Sequence, residues 1–264
     1  MHGGNTPILT VRNLTVRYEK LTAVGDLSFS IYPGDWLMLA GPNGAGKSSV
    51  LNAVSRGVPY LGGIFWENTD ISTLSSRVLA RHIGILSQNH SAEYAFPVKT
   101  VVSLGRYARA GRFFGRSDEN CEAAVAEALR LTGLEGMENR PVNRLSGGEL
   151  QRVFLAQLFA QDPELLILDE PANHLDPAYQ KQIFTLISQW LERPGKAVIS
   201  VVHDLSLAMR YGSRAILMDK GMQKAAGSIG EVFKTDIIND VYSMDVVSWM
   251  RELLGQWQKT SPCP

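Results

Sequence analysis

Residues 36–54 read WLMLAGPNGAGKSSVLNAV, and no other stretch restricts the fold as much. Five consecutive apolar residues predict a central strand covered on both faces. The next nine, Gly41, Pro42, Asn43, Gly44, Ala45, Gly46, Lys47, Ser48 and Ser49, satisfy G-x-x-x-x-G-K-[ST], and a helix is expected to begin near Lys47. Glycines 41, 44 and 46 let backbone N–H groups close around phosphate oxygens at a helix N-terminus. Lys47 supplies a point charge for β and γ phosphates, and Ser48 carries a hydroxyl suited to Mg2+. A strand, a phosphate loop and a helix in that order imply an α/β sheet that binds a nucleoside triphosphate.

The rest of the chain fits such a sheet. Alternating patterns predict half-buried strands over 8–18 and 27–32, a strand pair around 62–71 and a buried strand over 82–88. Helical patterns follow over 100–110, 117–134 and 146–161. In the second, Ser117 is the expected cap, and Cys121, Val125, Ala128, Leu129 and Thr132 share one face. Strands return over 164–170 and 197–204 with a helix over 178–192 between them, so the sheet is expected to be parallel and wrapped by helices. The tail from about 228 mixes polar and apolar residues without a readable period.

Three predicted strands end in chemistry. LLILDEP (165–171) ends in Asp169, placed to hold Mg2+ through its water shell, and Glu170, placed to accept a proton from, or to orient, a water aligned on a γ-phosphate. VVHD (201–204) ends in His203, a candidate γ-phosphate contact, and GILSQ in Gln88, whose neutral amide can touch Mg2+ and the attacking water. Tyr18, at the end of an early strand, can offer a ring face to adenine.

RLSGGELQR (144–152) poses a separate question. Ser146 and Glu149 fit a capping box, which needs no ligand, but Gly147 and Gly148 are unfavourable at a helix start. Bare amides at the head of a mostly apolar helix make an anion site. The chain's own ATP already has a loop, so the second site is read as meeting the ATP of a second copy, with two chains facing head to tail.

Composition narrows the partners. Twenty-six basic residues balance twenty-six acidic ones, so no global field favours nucleic acid. The longest apolar runs fall far short of the roughly 20 residues of a spanning helix, so a membrane role must come through a partner. MHGGNTPILT lacks the features of a secretory signal, and export is not expected. Cys121 and Cys263 lie far apart and are expected to be ordinary thiols.

GPNGAGKSS, Gln88, LSGGE, LLILDEP, NHLD and His203 occur in an order and spacing that resembles the ATP-binding cassette ATPases over nearly the whole chain. The resemblance implies an α/β P-loop NTPase fold: a mostly parallel sheet with an antiparallel β subdomain and an α-helical subdomain. It implies one domain over 1–264, with a RecA-like core and its β subdomain in 1–88 and 163–227, a helical subdomain in 89–162 and a tail in 228–264. It assigns Tyr18 to adenine, Lys47 and Ser48 to phosphate and Mg2+, Gln88 to sensing the site, and Ser146, Gly147 and Gly148 to the trans contact. It makes Asp169 the Mg2+ aspartate, Glu170 the catalytic glutamate and His203 the γ-phosphate contact, and it alone makes Asp176 the inter-subunit carboxylate.

Among cassette proteins, the compact helical insert differs from the long heptad insert of chromosome-maintenance ATPases, and the single cassette from the paired cassettes usual on ribosomes. Residues 100–117, PANHLDP (171–177) and IINDVYSMDV (237–246) are similar to ATPases that drive import of iron chelates, haem and cobalamin, although Tyr107 and Ala108 stand where that group often has proline and histidine, and Ala172 where it usually has threonine. That similarity implies ATP and Mg2+ as cofactors, a second copy, a separate transmembrane permease and an extracytoplasmic binding protein as partners, and a place on the cytoplasmic face of the membrane. Other importers, for metal ions or phosphonates, and exporters stay open as alternatives.

Overall fold

The structure is a computed structural model and describes residues 6–87, 94–109 and 120–260. The chain begins with β1 (Leu9–Tyr18) and β2 (Leu21–Ile31), followed by β3 (Trp36–Ala40) and α1 (Lys47–Val54) on either side of the phosphate loop. Next come β4 (Leu61–Trp66), β5 (Thr69–Asp70), α2 (Ser76–His82) and β6 (Ile83–Leu86). Three helices follow: α3 (Val98–Leu104), α4 (Cys121–Leu131) and α5 (Gly147–Gln161). The chain then returns through β7 (Leu165–Asp169), α6 (Pro177–Leu191), β8 (Ala197–Val201), α7 (Leu205–Tyr211), β9 (Arg214–Asp219) and β10 (Met222–Ser228). It finishes with α8 (Ile229–Val232), α9 (Thr235–Tyr242) and α10 (Val246–Thr260).

Two sheets form. β10-β9-β3-β8-β7-β6 is parallel from β9 to β6 with β10 antiparallel at one edge, and β2-β1-β4-β5 is antiparallel. The period of two along each central strand sends alternate residues into different cores. Trp36, Met38 and Ala40 join Leu166, Leu168 and Val198 beneath the helices, in one core. Leu37 and Leu39 join Leu165, Ile167, Ile199 and the inner residues of the antiparallel sheet in the other. WLMLA is solidly apolar because both of its faces are covered, and the fold is the expected α/β fold.

Several expectations shift. β2 starts at Leu21 rather than 27, because Tyr18 pairs with Leu21 across a tight turn that no apolar period announces. α4 starts at Cys121, behind Asn120; the proposed cap Ser117 lies outside the described residues, as does Cys263. The face anticipated for that helix holds: Val125, Ala128 and Leu129 are buried, and the Thr132 hydroxyl donates to the Ala128 carbonyl at 2.8 Å. The tail that gave no period is helical, with Ile238, Val241 and Val246 buried, whereas Trp249, Met250, Leu253 and Leu254 on α10 are exposed.

Trp36 ties the layers together. Its ring stacks on Phe184 of α6 with centroids 5.6 Å apart, and its indole N–H donates to the Ser200 hydroxyl at 2.8 Å, where both side chains are buried. Removing that acceptor strands a buried donor, so Ser200→Ala is expected to lower stability by about 1–3 kcal/mol. The check is a fall in the urea midpoint at unchanged slope; an unmoved midpoint would show that the indole N–H needs no protein partner.

Candidate functional site

The C-terminal ends of β3, β7 and β8 lie side by side, where ligand groups gather in a parallel sheet. The loop after β3 is shaped by close approach. Gly46 is the N-cap of α1 at φ +97°, and a Cβ there would sit 2.1 Å from the Ala23 carbonyl oxygen of β2. Gly41, at φ +140°, would place its Cβ 2.0 Å from the Met218 carbonyl oxygen of β9. No residue but glycine fits at either position.

Lys47 is the buried cation of this loop. It is 5% exposed, and its ammonium donates to the Gly41 and Pro42 carbonyls at 2.7 and 2.9 Å. Burial lowers its pKa, opposed by the negative charges of Glu170 and Asp169. The Ser48 hydroxyl donates to Asp169 Oδ1 at 3.3 Å, and burial raises the Asp169 pKa, with that hydrogen bond acting the other way. A hydroxyl and a carboxylate oxygen at this spacing are hard donors of the kind Mg2+ takes, with phosphates and water completing its shell. Among the described residues no cluster of three or more His, Cys, Asp or Glu could hold a metal.

Glu170 follows β7 at φ +53°, with its side chain 9% exposed and Oε1 2.5 Å from His203 Nε2. Glu170 and His203 border the same open cleft as Lys47, Ser48, Ser49 and Tyr18, the last 42% exposed at the end of β1. The geometry can therefore seat a polyphosphate beside a carboxylate and an imidazole. Gln88 lies outside the described residues.

Ser146, Gly147, Gly148 and Glu149 do not border this cleft. They open α5 as a complete capping box: Glu149 N–H donates to Ser146 Oγ at 3.3 Å, and Ser146 N–H to Glu149 Oε2 at 2.8 Å, which holds the Glu149 carboxyl below its usual range. The two glycines differ. A Cβ on Gly147 meets nothing nearer than 4.0 Å, whereas one on Gly148 would strike the Tyr179 ring at 2.6 Å. Gly148 is thus buried in its own chain, a packing role that the pattern did not disclose, and only Gly147 of the pair is exposed. Asp176 caps α6, its Oδ1 accepting from the Ala178 and Tyr179 amides at 2.9 and 3.1 Å.

Three further residues reach this region unannounced. Gln151 of α5 donates to the Pro171 carbonyl at 2.6 Å. Asn173 donates to Glu170 Oε2 at 2.5 Å. Tyr242 of α9 is pushed up in pKa by burial and pulled back by the Gly41 backbone beside it, so the C-terminal segment reaches the phosphate loop. All three stand inside stretches that the sequence singles out, Gln151 in RLSGGELQR, Asn173 in PANHLDP and Tyr242 in IINDVYSMDV, but nothing in those patterns aims their side chains at the site.

Residues 24–173 match the family described as ABC transporter, and the chain belongs to that family. The achromobactin transport ATP-binding protein of Dickeya dadantii is 36% identical over 90% of this chain and 88% of its own length. The hemin import ATP-binding protein of Streptomyces coelicolor is 41% identical over 81% of this chain and 75% of its own. Among solved structures, the dimeric post-hydrolysis state of the ATP-binding cassette MJ0796 bound to ADP and Pi is 25% identical, with a TM-score of 0.73, covering 84% of this chain and 98% of that one.

The unequal glycines give a direct test. Gly148→Ala is expected to lose about 1–3 kcal/mol through overpacking against Tyr179, while Gly147→Ala stays close to wild type. Thermal unfolding of both, and of Gly148→Ala combined with Tyr179→Ala, checks it. Equal losses at 147 and 148, or no relief from the second change, would refute the packing account.

Proposed function

We propose that this chain is the ATP-hydrolysing subunit of a transporter that imports a metal chelate, an iron siderophore or haem, through a separate permease. The observation that carries it is the meeting of Lys47, Ser48, Asp169, Glu170 and His203 at three adjacent strand ends. The relatives named for achromobactin and hemin supply the cargo class. In this reading one domain comprises the core (1–88 and 163–227), the helical subdomain (89–162) and the tail (228–264); packing of α3, α4 and α5 on one another between β6 and β7 supports it.

The chemistry follows from the residues. The loop amides from Gly41 to Ser49 surround the phosphates, Lys47 exchanges the loop carbonyls for phosphate oxygens, and Tyr18 borders the place of the base. Ser48 and Asp169, with Gln88, would hold Mg2+, which would supply positive charge to the phosphates. Glu170 accepts a proton from water as the water oxygen bonds to the γ-phosphorus and the bond to the ADP oxygen breaks. His203, hydrogen-bonded to Glu170, faces the γ-phosphate.

A second copy supplies Ser146 and the exposed Gly147 across the site, with Asp176 at the seam, while the buried Gly148 and the capping Glu149 hold the head of α5 in shape for that contact; the dimeric, ADP-bound cassette supports this arrangement. Among the described residues no helix is long and apolar enough to cross a membrane. The chain then works at the cytoplasmic face, docked on permease subunits and served by an extracytoplasmic binding protein. Exposed Tyr94, Phe96, Leu104 and Tyr107, at the end of α3 and on either side of it, support a protein contact there.

Glu170→Gln is expected to cut ATP hydrolysis about a hundredfold or more, since an amide takes no proton, and to trap an ATP-bound dimer. Light scattering with saturating ATP and Mg2+ reads the trapped species, and a mutant that stays monomeric contradicts the reading. Gly147→Asp places a charge on the exposed face without disturbing Tyr179. It is expected to stop hydrolysis while the isolated chain still binds ATP; loss of binding as well would mean that the face serves folding.

A further inference from the structure

We propose that Asn173 is a positioning residue for hydrolysis: its side-chain amide holds one oxygen of Glu170, which sets the direction in which the other oxygen is presented. The proposal rests on the reading of Glu170 as the carboxylate that takes the proton.

The local chain explains how Asn173 comes to be there. β7 ends at Asp169, Glu170 N–H still donates to the Val201 carbonyl at 3.2 Å, and the left-handed φ of Glu170 then turns the backbone sharply. Asn173 N–H donates to the Glu170 carbonyl at 3.1 Å, closing a turn over Pro171 and Ala172. That turn carries the Asn173 side chain back to Glu170, with Nδ2 on Oε2 at 2.5 Å. His203 Nε2 meets the other oxygen, Oε1, so two elements grip the two ends of one carboxylate.

The direction of the Asn173 amide is decided by its neighbours. Its Oδ1 accepts from the His174 N–H at 2.9 Å, at a residue that is itself left-handed at φ +61°. With the acceptor engaged there, the NH2 end faces Glu170; the opposite flip would set oxygen against carboxylate and leave the His174 amide facing a donor. Gln151 on the Pro171 carbonyl holds the middle of the same turn. A carboxylate free to rotate about its last torsion spreads its oxygens over several directions, and a misplacement of about 1 Å can cost on the order of a hundredfold in rate.

Asn173→Asp separates positioning from turn structure. It keeps the shape and the acceptor for His174, removes the donor, and sets a second carboxylate against Glu170. The expected result is a fall in kcat of about tenfold or more, with the KM for ATP unchanged. Asn173→Ser keeps a shorter donor and is expected to recover part of kcat. A role in the turn alone predicts the reverse order, with Asp like wild type and Ser impaired, and that order overturns the proposal. Glu170→Gln measured alongside tells the two readings apart. If it turns over at the wild-type rate, the role of Glu170 fails and that of Asn173 with it. If it is inactive while Asn173→Asp is unimpaired, only the role of Asn173 fails.

Discussion

The phosphate loop is held by backbone, and the rest of the molecule is arranged around that fact. Gly46 lies against the Ala23 carbonyl of β2, Gly41 against the Met218 carbonyl of β9, and Gly221 N–H donates to the Ala45 carbonyl at 3.1 Å while its own carbonyl accepts from Gly25 at 2.9 Å. Two segments distant in sequence, one around Ala23 to Gly25 and the other around Met218 to Gly221, therefore converge on nine residues. The left-handed conformations that aim amides into the cleft are the ones these contacts enforce, and side chains at 41 or 46 would collide with main-chain oxygens that cannot yield. The antiparallel sheet has a function here beyond covering a core: β2 is one wall of the loop.

Burial then sets the electrostatics. Lys47 and Asp169 are both shifted toward their neutral forms by desolvation, and each opposes that shift in the other. A lysine placed between loop carbonyls and two carboxylates is matched for a ligand that brings several negative charges and a hard cation together. Removing either charged residue from such a site leaves the other buried without its partner.

The order of legibility follows the range of the forces involved. WLMLA, LLILDEP and the loop were readable because each combines a strand period, a turn chemistry and a charge within ten residues. The residues that meet at the cleft, Lys47, Asp169, Glu170 and His203, were found for the same reason: each ends or follows a strand that announces itself. Gly148 was half read. Its placement at a helix start was visible, but the Tyr179 ring that excludes a side chain there comes from the next helix and depends on how α5 and α6 cross. Gln151, Asn173 and Tyr242 were not found, because a half-buried glutamine early in a helix and an asparagine in a loop carry no period, and only the tertiary path aims them. α9 and α10 escaped for a related reason: α10 leaves most of an apolar face in the open, so its pattern does not resemble that of a helix on a core.

α5 reaches the site from behind, through the turn that follows β7. Its first turn is capped within the chain, so the Gly147 face carries no unmet obligation to Ser146 or Glu149. One turn further on, Gln151 grips the carbonyl next to Glu170, and Gly148 seats Tyr179, whose amide is capped by Asp176. The start of α5, the turn after Glu170 and the start of α6 thus share a packed, hydrogen-bonded contact, and packed contacts of this kind do not deform by degrees. Gln151 thus links the first turns of α5 to the turn that follows Glu170, and Gly148 links them to the start of α6.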